Sequence, residues 1–148
     1  MATSRQLLNG TFDAATELKD AGAVIVSGAA QVAGAARVVN VGKAFLEGVL
    51  IVDFDALDVT SLDEGYEVRL QGSNDATFAT DVNVISSVRA GTAAAIGESA
   101  NAGIGRRTKP FINQGEDGLA RQYLRLYHVL TGTTPSVNYR GFITKDPL

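Results

Sequence analysis

Tyr66, Val68 and Leu70 alternate with Glu67, Arg69 and Gln71, a period of two that predicts a strand over residues 64–71 with one apolar and one wet face. The same period returns over residues 122–130. Leu124, Leu126 and His128 fall on one side there, and Tyr123, Arg125, Tyr127 and Val129 on the other. In residues 46–55 the apolar positions are adjacent: Val49, Leu50, Ile51, Val52 and Phe54. That run predicts a strand covered on both faces. Shorter β-branched stretches at 23–26, 37–41, 81–88 and 137–144 complete the set. Gly72-Ser73-Asn74-Asp75 and Thr131-Gly132-Thr133-Thr134-Pro135 read as turns between them. Some seven or eight strands are spaced by turn signals instead of helical patterns, with 16 glycines and only 3 prolines. The expected fold is all-β: a jelly roll or other antiparallel β-sandwich.

Two regions depart from this pattern. Residues 1–21 read as an N-terminal arm or a short helix, with Asp13 as its cap and Gly22 as its stop. Leu7, Leu8 and Phe12 are apolar anchors there that need a cover. The sandwich domain is accordingly placed at 22–148. Residues 90–118 are rich in Gly, Ala and Ser and read as a long loop over the sheet. A loop of that length in a compact domain usually has a task.

Composition narrows the chemistry. At 148 residues the chain fits one domain. Its net charge of -3 argues against nucleic-acid partners, which need a concentrated basic face. With no cysteine, disulfides and cysteine-ligated metals are excluded, and folding in a reducing cytoplasm is suited. No stretch approaches the ~20 apolar residues of a membrane span, and the first residues lack the pattern of a signal peptide. The expectation is a soluble protein made inside the cell, with no membrane partner. There is one histidine, one methionine and no tryptophan. A hydrolytic triad or metal enzyme would have to be built around His128 alone, so no enzyme, catalytic residue, metal or cofactor is expected.

Several clusters still merit a reading. Asp53, Asp55, Asp58, Asp63 and Glu64 offer oxygens to a hard cation, but their spacing does not match a calcium loop, and solvated strand ends are the default. Gly103-Ile104-Gly105-Arg106-Arg107-Thr108-Lys109 looks like an anion binder without the strand-turn-helix context of a phosphate loop. Its cations are read as lying on a flexible loop, either simply solvated or steering an acidic partner surface. His128 reads as a hydrogen-bonded core or rim residue. Tyr123, Arg125 and Tyr127 share an outward face, the composition in which interface hot spots are enriched, although a second packed sheet would also explain them. Asn9-Gly10-Thr11 is formally a glycosylation sequon, set aside because nothing suggests secretion.

Two segments carry a resemblance. One runs from Asp63 to Phe78 through Leu70-Gln71-Gly72-Ser73-Asn74-Asp75. The other begins Arg121-Gln122-Tyr123-Leu124-Arg125-Leu126, passes the Gly132–Pro135 turn and ends Gly141-Phe142-Ile143-Thr144-Lys145-Asp146. They resemble a strand-and-turn and a C-terminal hairpin of the jelly-roll capsid cement, or decoration, proteins of podovirus-like tailed phages. The likeness covers most of 23–148 in strand order and these two segments by residue. It implies a structural virion protein, made in the bacterial host cytoplasm. Such a protein binds the outside of the icosahedral head as a homodimer or homotrimer and bridges major capsid protein subunits. Candidate partner-binding residues are then Arg5, Leu7, Leu8 and Phe12 on the arm, Arg106, Arg107 and Lys109 on the loop, and Tyr123, Arg125 and Tyr127 on the strand. The alternative is a carbohydrate-binding β-sandwich module of a phage head or tail fibre, since similar Leu-Gln-Gly-Ser-x-Asp turns occur in such modules. An aromatic share of 7% without tryptophan leaves that reading little platform.

Overall fold

A computed structural model of the chain describes residues 16–97 and 103–145. Along the chain its elements are β1 (Glu17–Lys19), β2 (Ala23–Val24), β3 (Gly28–Ala29), β4 (Gln31–Val32), β5 (Ala35–Ala36), β6 (Val39–Asn40), β7 (Glu47–Leu57), β8 (Gly65–Ser73) and β9 (Asn83–Gly91). They continue with the single-turn helix α1 (Ala93–Ile96), then β10 (Gly105–Ile112), β11 (Tyr123–Thr131) and β12 (Val137–Lys145). The first sheet runs β1-β12-β7-β10, with β2 also on β12. The second runs β3-β11-β8-β9, with β6 also on β11. β4 and β5 form a small separate ribbon. All pairings are antiparallel. The protein is an all-β sandwich, as the alternation of polar and apolar positions predicts.

Its core is made by the inward residues of the long strands: Leu50, Val52 and Phe54 of β7, Tyr66, Val68 and Leu70 of β8, Leu124 and Leu126 of β11, and Tyr139 and Ile143 of β12. Burying each such side chain stabilises the fold by roughly 1.5–3 kcal/mol before entropy is charged against it. β7 is covered on both sides as its run of adjacent apolar residues implies: Ile51 points away from this core, pairs with Phe142 of β12, and is buried as well.

Four expectations need correction. In its described part, the helix expected within 13–22 is a strand: β1 pairs with β12, and Leu18 is wholly buried in the core. The sandwich therefore includes Glu17 and does not begin at residue 22. Burial of Leu18 between the sheets outweighs the helical propensity of Glu17, Leu18 and Lys19. Next, 90–118 is not one long loop. It holds the end of β9, then α1, capped by the Thr92 side chain and ended by Gly97 at φ 78°, then β10. The cations of 103–109 thus lie mainly on a strand. β10 escaped notice because it closes the first sheet and is exposed along most of both faces, with Arg107 half-buried and Phe111 buried, so no alternation marks it; Pro110 is tolerated at such an edge. Third, β11 and β12 are not a hairpin but lie in opposite sheets. Gly132 at φ 106° turns the chain between them, where a Cβ would strike the backbone of Asp63 and Glu64. Fourth, the stretches at 23–26 and 37–41 form only two-residue strands. Among the described residues no helix is long and apolar enough to cross a membrane.

Candidate functional site

The outward face of the second sheet carries the most developed arrangement of polar and aromatic side chains. Alternation along β11 turns Tyr123, Arg125 and Tyr127 away from the core, and register sets them beside Ser73, Gln71 and Arg69 of β8. The Arg125 guanidinium lies 4.3 Å from the Phe78 ring centroid and 5.4 Å from that of Tyr127. Its Nε donates to Gln71 Oε1 at 2.9 Å. Burial among these neighbours lowers the Arg125 pKa, which leaves it cationic all the same. A guanidinium close to two rings, with one hydrogen bond to a neighbouring side chain, is restrained in position.

Phe78 reaches this position through the loop that follows β8. The Asp75 carboxylate accepts from Thr77 N (2.9 Å) and Oγ1 (2.7 Å), Ala79 N (3.1 Å) and Thr80 N (3.2 Å). Ser73 Oγ donates to Thr80 O at 2.8 Å. These donors, the Thr77 hydroxyl foremost, pull Asp75 down to about 2. The loop tip closes with Phe78 in the left-handed region at φ 55°. Neither Phe78 nor Gln71 was foreseen as part of this surface. Ser73-x-Asp75-x-Thr77, a side chain-to-backbone turn signature, was the available signal for the loop's rigidity.

Arg106, Arg107 and Lys109 come together on one flank. Arg106 holds Asp53 with two parallel bonds, Nε to Oδ1 at 2.7 Å and Nη2 to Oδ2 at 2.9 Å. Arg107 donates to Gly103 O at 2.5 Å and lies 5.4 Å from the Phe54 ring centroid. Lys109 Nζ donates to Ser87 O of β9 at 3.2 Å. The two candidate sets thus occupy a face and a flank. Arg5, Leu7, Leu8 and Phe12 lie outside the described residues.

The acidic cluster does not converge. Asp53 is taken by Arg106. Asp58 accepts from the backbone and hydroxyl of Thr60. Asp63 accepts from Thr133 N at 3.0 Å and Oγ1 at 2.6 Å. The fully buried Glu64 accepts from Ser61 N at 3.0 Å. The Asp63–Thr133 bonds, with Thr134 Oγ1 donating to Glu64 Oε1 at 3.3 Å, clip the turn before β8 to the turn before β12, and the other bonds order the first turn internally. Among the described residues no three His, Asp or Glu side chains are grouped to hold a metal.

His128 is a core residue. Its Nδ1 lies 2.8 Å from the Tyr139 hydroxyl, and burial, reinforced by the charge of Lys19, pushes its pKa down to about 4. Lys19 is itself buried, with its ammonium donating to Asp20 O at 2.6 Å and Gly22 O at 3.1 Å and facing the Tyr139 ring at 4.9 Å. Burial lowers the Lys19 pKa too and raises that of Tyr139. A cavity of about 620 Å³ lies beside this trio, walled largely by residues 20–29. The Lys19 ammonium is directed at two backbone carbonyls, an arrangement that fixes the strand β1 and leaves no prepared nucleophile. No known protein-family model matches the chain, and no curated protein matches it in sequence.

Proposed function

We propose that this protein is a structural decoration protein of a tailed-phage capsid. It binds the outer surface of the head and bridges neighbouring major capsid protein subunits. The observation that carries this reading is the Phe78–Arg125–Tyr127 cluster, an arginine set against two aromatic rings on a β-sandwich. Adhesion needs no reactive group; it needs a rigid scaffold and a few anchors of this kind. The resemblance of the Asp63–Phe78 strand and turn to phage cement proteins points the same way. A homodimer or homotrimer touching several subunits gains by effective concentration, so each copy can bind modestly.

The test is co-sedimentation with expanded capsids assembled from a tailed-phage major capsid protein. Wild type pelleting with capsids as an oligomer is the expected result. Arg125→Ala combined with Tyr127→Ala should weaken binding at least about tenfold while leaving the far-ultraviolet spectrum of the sandwich unchanged. A monomer that ignores capsids sinks the proposal. Tyr123 and Tyr127 beside the polar Gln71 and Arg125 also suit a sugar ring, which is the alternative reading; selective glycan binding lost on Tyr127→Ala would replace adhesion to protein with it.

A further inference from the structure

On one flank of the sandwich two edge strands from opposite sheets run side by side without pairing: β9 closes the second sheet and β10 the first. Between them lies a groove of about 610 Å³ lined by Ser87 and Arg89 on one side and by Arg106, Arg107, Thr108 and Lys109 on the other. The chain as a whole is acidic, yet the lining, among the described residues, includes four cations and no carboxylate. Among the described residues Glu67 and Asp53 reach two of them, Arg89 at 3.9 Å and Arg106 at 2.7 Å. Register explains the placement. Arg107 and Lys109 pair with Val52 and Leu50, so both lie on the core side of the first sheet. At its border they pass over the β9 edge. Lys109 meets Ser87 O there at 3.2 Å, a single exposed bond.

An edge strand presents unpaired backbone N–H and C=O groups, and an extended chain can add to it as a further strand. Alternate residues of a strand lie about 6.6 Å apart, which is the interval both of Arg107 and Lys109 and of same-side carboxylates on an incoming strand. We propose that this groove binds an extended acidic segment of a partner protein, which adds to the exposed strand edge and sets its carboxylates against Arg89, Arg107 and Lys109. Pro110 lacks a donor and closes one end of the edge. Among the described residues the lining holds no aromatic side chain on which bases could stack, which disfavours single-stranded nucleic acid. The site is on a flank, apart from the Arg125 face, and stands independently of the capsid reading. Charges on an edge can also merely deter self-association; that role would make neutralising Lys109 cause aggregation without any loss of ligand binding.

The probe is a short fluorescent peptide alternating glutamate with threonine, titrated into the full-length protein at low and physiological salt. Controls are the same peptide with glutamine for glutamate, and oligothymidylate. The acidic peptide should bind, more weakly as salt rises, and slow amide exchange along β9 or β10. Arg89→Glu with Lys109→Glu should weaken it at least about tenfold, and Arg89→Ala alone, at an exposed side chain, should weaken it with the fold intact. Equal binding of the glutamine peptide, unchanged affinity in both variants, or binding without slowed exchange would overturn the proposal. Tighter binding of oligothymidylate would overturn it in favour of a nucleic-acid groove.

Discussion

At Gly141 an added Cβ would run into Cδ1 of Leu126 across the core, so the glycine makes room for a leucine that is wholly buried. Gly141→Ala should therefore destabilise the protein by about 1–3 kcal/mol through overpacking, and Leu126→Ala by about 2–5 kcal/mol through the cavity it leaves. Because each change relieves part of the other's defect, the double variant should lose less than the sum. Urea denaturation of the set checks this, and strict additivity would mean that the two sites do not touch. His128 gives a pH signature of its own. Its folded pKa of about 4 lies below the ordinary value of 6.5, so the folded state refuses a proton that the unfolded chain accepts. Stability is complete above pH 6.5 and is lost as the pH falls towards 4, by on the order of 3 kcal/mol in all. His128→Asn should flatten the urea midpoint across that window. Since the chain has one histidine, a single imidazole resonance reports the titration, and a midpoint near 6.5 would show the ring open to water.

Among the elements, legibility followed burial. β8 and β11 were readable because each buries one face against the other sheet, and β7 because it buries both. β10 was not, since an edge strand exposed on two sides imposes no period on its sequence. β1 was misread because three residues are too few to show a period and their intrinsic preference is helical. The loop after β8 was legible as a turn but not as a device that delivers Phe78 to Arg125. Asp75 is its organiser, and Asp75→Ala should speed amide exchange at Thr77, Ala79 and Thr80 while leaving Leu70 protected. The lowered pKa of Asp75 has a matching consequence. The stability it lends is present above the ordinary value of 3.8 and fades as the pH falls towards 2, so acidification should loosen this loop in wild type and do nothing further in Asp75→Ala. Uniform exchange along the whole of β8 would instead mean that the loop opens only with the sheet.

At the scale of the whole molecule, the sequence showed which side chains face outward on β11 but not what they meet. The cluster on Arg125 needs Phe78 from another connection, and the basic groove needs β9 and β10 to be neighbours, which only the crossing of the chain between two sheets creates. The same crossing decides where the domain starts. β1 reaches the far edge of the first sheet, placing Leu18 in the core and Lys19 against Tyr139. A chain beginning at Thr16 retains these contacts, whereas one beginning at Ala21 loses them and uncovers the His128–Tyr139 pair. The shorter chain should be less stable than the longer by about 2–5 kcal/mol, the scale of losing one large core side chain. Its His128 pKa should also climb back towards the ordinary range, because burial and the nearby Lys19 charge are both removed. Denaturant midpoints and the imidazole titration measured on the two truncations test this together. Equal stability with an unmoved titration would show that β1 adds nothing to the sandwich and that its true edge lies beyond Gly22.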